Sequence, residues 1–414
     1  IFAFVVDSGT NFSQTNSTLE DAGWADVVGQ RGLEVNIPLK SFRNNTLRNS
    51  YNGLTLYASN SFVEDNRFEN NLQFGLNMPD ASGVFLSNIS IKNNVFLGNS
   101  AGILLSESDS GTASNITIIQ NVISNSFSLG ILLLQVSNSK IINNTIVNSV
   151  NGIQFWGFST SPYNSTISNN TIVNNTGTGI KSFRPTGRDI RDSIFSNNVI
   201  KNNSNGIIFE AANQGGNNTF IDNVLNNSVL DFQTKGNDFF INTTFNKSAV
   251  TITSPGNLTV KWYLDVNVTD NSTGAPLQDA NVSAWNNTNT LVFFELTQSN
   301  GSILRKTLTE YVQNSTDKYF STNYTVNTTK SSPVYIPASN QLNLTKSIQL
   351  DIKLSQPPFP QNISLISPPD NSLFGVGNVS FICNATDVNG LANITLLSDF
   401  SGTWQSNKTN LVTG

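Results

Sequence analysis

Phe42-Arg43-Asn44-Asn45-Thr46-Leu47-Arg48-Asn49 decides the fold of this chain, because its pattern returns down the first half of the sequence. The pattern is apolar, any residue, amide or acid, Asn, any residue, apolar. Its anchoring Asn recurs as Asn45, Asn66, Asn94, Asn121, Asn144, Asn170, Asn198 and Asn223. Three residues before each anchor stands Phe42, Val63, Ile91, Ile118, Ile141, Ile167, Phe195 or Phe220. Two residues after it stands Leu47, Phe68, Phe96, Ile123, Ile146, Ile172, Ile200 or Leu225. A period of roughly 21–28 residues in fixed register marks a solenoid, each repeat being one coil.

Each coil reads as short strands joined by turns. The polar pair at the anchor (Asn44-Asn45, Asp65-Asn66, Asn143-Asn144) suits a tight corner, since Asn tolerates the left-handed region. A second element follows, as in Gly53-Leu54-Thr55-Leu56, Gly102-Ile103-Leu104-Leu105, Gly152-Ile153-Gln154-Phe155 and Gly206-Ile207-Ile208-Phe209. Its period of two is that of a strand with one buried face, and a positive φ is expected at each Gly. Stacked coils place the anchoring Asn residues in a ladder at about 4.8 Å spacing, in a rod about 40 Å long. Insertions at 78–85, 158–164, 184–192 and 211–217 leave one corner and supply the expected interaction edge.

Composition narrows the function. The chain has 414 residues, a formal charge of -5, 12% charged residues, no His and one Cys. Nucleic acid is therefore not an expected partner, and the commonest general base and metal ligand are missing. A lone Cys383 makes neither an internal disulfide nor a zinc site, so no cofactor or metal is expected. No apolar run reaches the ~18–20 residues of a bilayer span.

Past residue 248 the ladder pattern ends, yet Asn remains concentrated in N-x-[ST] sequons. These are Asn257, Asn267, Asn271, Asn281, Asn286, Asn300, Asn314, Asn323, Asn327, Asn343, Asn362, Asn378, Asn384, Asn393 and Asn407. Ladder turns cannot explain them, so a secreted or surface-displayed glycoprotein is expected, with these as glycosylation sites.

The repeats resemble the right-handed parallel β-helices of the pectate-lyase-like superfamily, of the carbohydrate-binding and sugar-hydrolase type. The resemblance spans roughly residues 35–250. It implies fold more than function, because such rods serve as lyases, hydrolases, adhesins and inert surface proteins alike. Glycoside-cleaving members use clustered acids, and no such cluster is evident. The expectation is no catalytic residue and no enzyme. Arg184, Arg188, Asp189, Arg191 and Asp192 form the one charged insertion, which with Trp156 is the candidate interaction loop.

The run from Trp262 to Trp285 is similar to carboxypeptidase-regulatory-like β-sandwich modules, which implies a spacer over about 261–355. Asn300-Gly301 reads as a hairpin turn. After Gln356-Pro357-Pro358-Phe359-Pro360, a stiff linker, the sequence resembles the first half of an immunoglobulin-like repeat of archaeal surface proteins. The resemblance implies that Ser380-Phe381-Ile382-Cys383 is the strand that would carry one disulfide Cys, with a partner expected in the second half of such a repeat. Residues 1–7 resemble the closing strand of such a repeat. Either the chain is a piece of a longer polypeptide, or one subunit's first strand completes the next subunit's last sandwich head to tail.

The expected architecture is all-β: a right-handed parallel β-helix solenoid, then one complete and one partial β-sandwich. Its parts are an N-terminal strand and cap at 1–34, the β-helix at 35–250, a sandwich at 251–355 and a linker with partial sandwich at 356–414. The expected role is a structural surface protein of an extracellular filament, sheath or surface layer. It would contact itself or other surface proteins, with glycans as further partners. A polysaccharide-binding adhesin or a carbohydrate-active β-helix enzyme is the alternative.

Overall fold

The structure is a computed structural model. It describes residues 3–7, 9–79, 85–106, 113–157, 161–182, 188–210 and 215–357, and within the remainder 362–369, 372–373, 380–386, 393–398 and 405–411. Every regular element among them is a strand.

Three long sheets wrap one core. The chain visits each sheet once per coil, so that Phe4–Val6, Gly32–Val35, Asn52–Leu56 and Phe74–Met78 open an eleven-stranded parallel stack that runs to Val250–Ile252. A fifteen-stranded and a nine-stranded sheet complete the coils. The two apolar columns of the repeat face inward, and all their members are buried. Coil stacking brings Phe68 onto Phe96 with centroids 4.8 Å apart, and Phe195 onto Phe220 at 4.6 Å. Each such side chain contributes roughly 1.5–3 kcal/mol by leaving water.

The anchoring asparagines are 2% exposed or less. Each one except the last, Asn223, donates twice to the next coil. Asn121 N and Nδ2 both reach Asn144 Oδ1 at 3.0 Å, and Asn144 N and Nδ2 reach Asn170 Oδ1 at 2.9 and 3.0 Å. The ladder extends beyond the Asn residues, starting at Ser17 and ending on Thr243. The residue before each anchor is left-handed, including Asn44 (φ 54), Asp65 (φ 56), Gln120 (φ 58) and Asn143 (φ 56).

Two further ladders occupy the other corners. One joins Asn71 to Asn99, breaks at Ser126, whose Oγ has no partner among the described residues, and then runs from Ser126 N through Ser149, Asn175, Asn203 and Asn227 to Asp231. The other runs through Ser139, Ser165, Ser193 and Asn218 to Asp238. Donors point toward the C-terminal end in both, so an acceptor-only Asp suits the last rung.

Two expectations about corners need correction. The glycines at 53, 102, 152 and 206 do not have positive φ. They are required because a Cβ would collide with the neighbouring coil: at Gly102 it would lie 2.7 Å from Gly130 O and 2.7 Å from Ile123 Cγ2. Asn300-Gly301 is not a hairpin tip either. The strands beside it, Leu291–Leu296 and Lys306–Gln313, belong to different sheets.

The N-terminal boundary also moves. Phe4–Val6, expected as part of a separate strand and cap, is the first rung of the eleven-stranded sheet and pairs in parallel with Gly32–Val35. At the other end the rod does not stop at residue 250. The strand Asn257–Asp270 pairs with the rod through residues 257–261, then with Ile348–Leu354 and Lys306–Gln313. A four-stranded antiparallel sheet contains Leu291–Leu296, Asn281–Trp285, Tyr324–Thr329 and Ala338–Leu342. Its inward residues Val282, Ala284 and Val326 share a core with Trp262, Leu264, Val266 and Val268.

Beyond residue 357, Asn362–Ser367 pairs with Ile382–Thr386, and Asn393–Ser398 pairs with Gln405–Leu411, both antiparallel. Cys383 is exposed and free. Most of the proline linker lies outside the described residues.

Candidate functional site

Alternation in the eleven-stranded sheet sends Ile131, Ile153, Ile180, Ile207 and Phe232 into the core. The residue after each must face out, because successive side chains in a strand alternate. Leu132, Gln154, Lys181, Ile208 and Gln233 therefore stack in one outward row. A second row lies two residues on, with Leu134 beside Trp156. Glu210 and Lys235 continue it, each following a buried residue, Phe209 and Thr234.

Here the outer face hollows into a cavity of about 220 Å³ lined by Phe209, Glu210, Gln233, Lys235 and Thr253. Gln233 Nε2 donates to Glu210 Oε1 at 2.6 Å. Glu210, Gln233 and Lys235 are half-buried, as are Lys181 and Trp156. The site thus offers amide, carboxylate and ammonium groups, with the Trp156 indole on the same sheet face two coils away. This mixture suits hydroxyl-rich ligands with apolar faces.

The same face is closed at its other end. Glu34 and Thr55 point outward but are buried and already paired. Glu34 Oε1 accepts from Arg31 N at 2.9 Å, and Thr55 Oγ1 accepts from Asn52 Nδ2 at 3.1 Å. Tyr57 bonds with Arg31 and donates to Glu34 Oε2 at 3.4 Å, and burial pushes its phenol up from the ordinary value. That cluster holds the coil together and leaves the open chemistry to Lys181, Glu210, Gln233 and Lys235, Gln154 being buried at 6% exposure.

The charged insertion is built differently from its sequence expectation. Arg184 lies outside the described residues. Arg188 N donates to Gly157 O at 3.1 Å, and Asp189 is buried beside the core residue Ile190. Arg191 lies 5.1 Å over the Tyr163 ring and pairs with Asp192. Asp192 has φ 51 and accepts from Asn217 Nδ2 at 3.3 Å, so it is a corner residue of the coil. Trp156, at the end of its strand in the eleven-stranded sheet, stands on the cavity face. The strands ending at Trp156, Ser182 and Phe209 all belong to the eleven-stranded sheet, so these insertions leave the edge that borders the cavity.

Gln154, Lys181, Glu210, Gln233 and Lys235 were missed from the sequence. The signal was available: in Gly152-Ile153-Gln154-Phe155 the third position faces out, and following it down the repeats gives the outward row.

The sequon asparagines past residue 248 differ sharply from the ladder. Asn257, Asn267, Asn281, Asn286, Asn314 and Asn327 are half-buried, and Asn271, Asn300, Asn323, Asn343 and Asn384 are exposed. At Asn286 and Asn314 the sequon hydroxyls of Thr288 and Thr316 donate to the side-chain oxygen at 2.8 and 3.1 Å. Asn378 and the side chains of Asn362, Asn393 and Asn407 lie outside the described residues. Among the described residues no group of three or more His, Cys, Asp or Glu is placed to hold a metal, and no helix is long and apolar enough to cross a membrane.

Residues 3–163 match the family model described as a right handed beta helix region. With the parallel stacks above, this makes the rod a right-handed parallel β-helix. No curated protein matches the sequence. Among solved structures, the rod is similar to the periplasmic alginate epimerase AlgG, at 14% identity and TM-score 0.46, over 62% of this chain and 60% of that one. It is similar to the Agl-KA catalytic domain at 18% identity and TM-score 0.37, over 61% of this chain and 56% of that one. A tailspike of E. coli bacteriophage HK620 solved with a hexasaccharide aligns at 11% identity and TM-score 0.28, over 82% and 73%. This chain thus spans little more than half the length of the first two. These likenesses reach the fold alone.

They do correct one expectation. Enzyme function had been set aside because the sequence shows no acid cluster and no His. An epimerase and a catalytic domain stand among the similar rods, so those absences give no ground for excluding catalysis.

Proposed function

We propose that the protein is a polysaccharide-binding rod, with the extended sugar chain lying along the outer face of the eleven-stranded sheet. The observation that carries this is the cavity lined by Glu210, Gln233 and Lys235, with Lys181 in the row of Gln233 and Trp156 in the row of Glu210 on the same sheet face. Coils repeat at about 4.8 Å, so outward groups held in register from coil to coil favour a ligand that is itself a repeating chain. The exposed sequons past residue 248 support display outside the cell on a glycoprotein, with the two-sheet unit around Trp262 serving as a sandwich-type spacer. Binding of the intact protein to a panel of acidic and neutral polysaccharides tests the proposal, with product analysis of each bound chain to detect turnover.

A second reading, assembly with further copies into a filament, rests on the first coil. There Phe4, Val6, Phe12, Leu19 and Leu33 line an apolar mouth of about 430 Å³, and Phe4 is 48% exposed. Strand addition onto Phe4–Val6 would cover it. Sedimentation of the purified protein tests this: a concentration-independent monomer contradicts the filament.

A further inference from the structure

The outer face of the four-stranded sheet joins two sequons to an exposed apolar strip. On Asn281–Trp285, Val282 and Ala284 point into the core, so Asn281, Ser283 and Trp285 lie on the other face, where Ser283 is covered by its neighbours at 7% exposure. On Tyr324–Thr329, Val326 points in and Asn327 and Thr329 point out. Register then places Asn281 opposite Thr329 and Ser283 opposite Asn327. Asn281-Val282-Ser283 and Asn327-Thr328-Thr329 are both sequons. Each acceptor Asn therefore faces the hydroxyl residue of the other sequon, and the two Asn residues are diagonal neighbours about 7–8 Å apart.

The other flank of this face is apolar. Phe294 lies opposite Ser283, Leu296 opposite Asn281 and Leu291 opposite Trp285. They are 61%, 48% and 52% exposed. Exposed aromatic and aliphatic groups in a row on an edge strand are an association hazard unless covered.

The acceptor amides are uncommitted. Among the described residues neither Asn281 nor Asn327 makes a side-chain hydrogen bond, whereas Asn257 Nδ2 donates to Asn237 and Asn271 Nδ2 to Ser355. Asn281 Oδ1 is buried without a partner.

We infer that Asn281 and Asn327 are both N-glycosylated and that their glycans fold over Phe294 and Leu296, the apolar sugar faces packing on the aromatic ring. This rests on the reading of the protein as a secreted glycoprotein. The glycan is then the cover of this sheet face, and it blocks strand addition at Leu291–Leu296.

The test is glycopeptide mass spectrometry of the full chain made through an N-glycosylating secretory route, followed by enzymatic deglycosylation under native conditions. Both sites are expected to be occupied more fully than Asn257 and Asn271. Removing the glycans is expected to raise binding of an apolar fluorescent dye about twofold or to start self-association, and Phe294→Ser should abolish that gain. The paired variants Ser283→Ala and Thr329→Ala, which keep both Asn residues, should reproduce it. Glycans elsewhere but not at these two Asn residues would overturn this inference and leave the glycoprotein reading standing. No glycan at any site would overturn both. Full occupancy with dye binding and association unchanged by deglycosylation would overturn the covering role, as would a protein partner seated on Phe294 in the glycosylated chain.

Discussion

Lys247 Nζ donates to both carboxylate oxygens of Glu310 at 2.7 Å, tying the last coil of the rod to the sheet beyond it. Glu310 Oε2 also accepts from Trp262 Nε1 at 2.6 Å, and Lys247 lies 5.3 Å over the Trp262 ring. Nearby, Ser347 Oγ donates to Asn242 Oδ1 at 2.7 Å and accepts from Tyr263 N at 3.0 Å. Together with the shared strand Asn257–Asp270, these bonds make the junction a continuous structure rather than a hinge.

Glu310→Gln should therefore loosen the joint. The amide still accepts from Trp262, but Lys247 loses a carboxylate whose side chain is 4% exposed. A loss of about 2 kcal/mol is expected, moderated because Lys247 itself is partly solvated. Arg305→Ala breaks an exposed pair with Asp265 and should cost much less, because water screens it. Denaturant unfolding of both variants checks the contrast; equal losses would contradict it.

The ladder gives a sharper pair. Asn144→Ala removes the acceptor of two Asn121 donors and the donor to Asn170. Leaving those groups buried and unpaired should cost about 3 kcal/mol or more. Asn143→Ala keeps the ladder and pays only left-handed strain at φ 56, about 1–2 kcal/mol. Asn143→Gly should be nearly neutral. Thermal unfolding of the three variants ranks them directly.

Gly130→Ala tests why glycine lines the corner. Its Cβ would stand 2.6 Å from Gly152 O and 2.6 Å from Ile146 Cγ2, a backbone atom and a core side chain that are both fixed by packing. Loss of several kcal/mol or failure to fold is expected. A stable variant with unchanged melting would show that the coils can separate more easily than their contacts imply.

Two acids set opposite pH dependences. Burial pushes Asp238 up to about 6, against hydrogen bonds from Thr234 and Asn218 that oppose the rise. Its folded value lies above the unfolded one, so its contribution is full below about pH 4 and is lost as pH climbs through 6. Asp238→Asn should flatten that decline and stabilise the protein at pH 7. Asp270 is held down to about 2, first by the Tyr335 hydroxyl at 2.7 Å and then by Thr273 N. Its contribution is present above about pH 4 and disappears as pH falls through 2. Urea midpoints at pH 3, 5 and 7 separate the two; an Asp238→Asn variant less stable than the parent at pH 7 would contradict the assignment.

The coil was legible from sequence because one period imposes the same demand at every turn. Phe42 and Leu47 face inward in the first copy and their counterparts must do so in all. The Ser and Asn residues of the other two ladders were hidden by chemistry, since Ser139 and Asn218 perform one task with different side chains. Residues 4–6 were misplaced because a short apolar strand reads alike in a rod and in a sandwich. The cavity escaped because Glu210 and Lys235 follow their strands on coils of unequal length, and only register aligns them. The charged insertion drew notice because its residues are adjacent in sequence, while Asp189 is buried and Asp192 is a corner.

The most direct test of the polysaccharide-binding rod is equilibrium binding of the intact protein and its Gln233→Ala, Trp156→Ala and Arg191→Ala variants to soluble acidic and neutral polysaccharides, with melting temperatures measured in parallel. The account expects at least one polysaccharide to bind. Gln233→Ala and Trp156→Ala should each weaken it about tenfold, the loss of one hydrogen bond or stacked ring, and Arg191→Ala should leave it unchanged. Binding that ignores Gln233 and Trp156 in folded variants, or no binding to any polysaccharide, would contradict the claim.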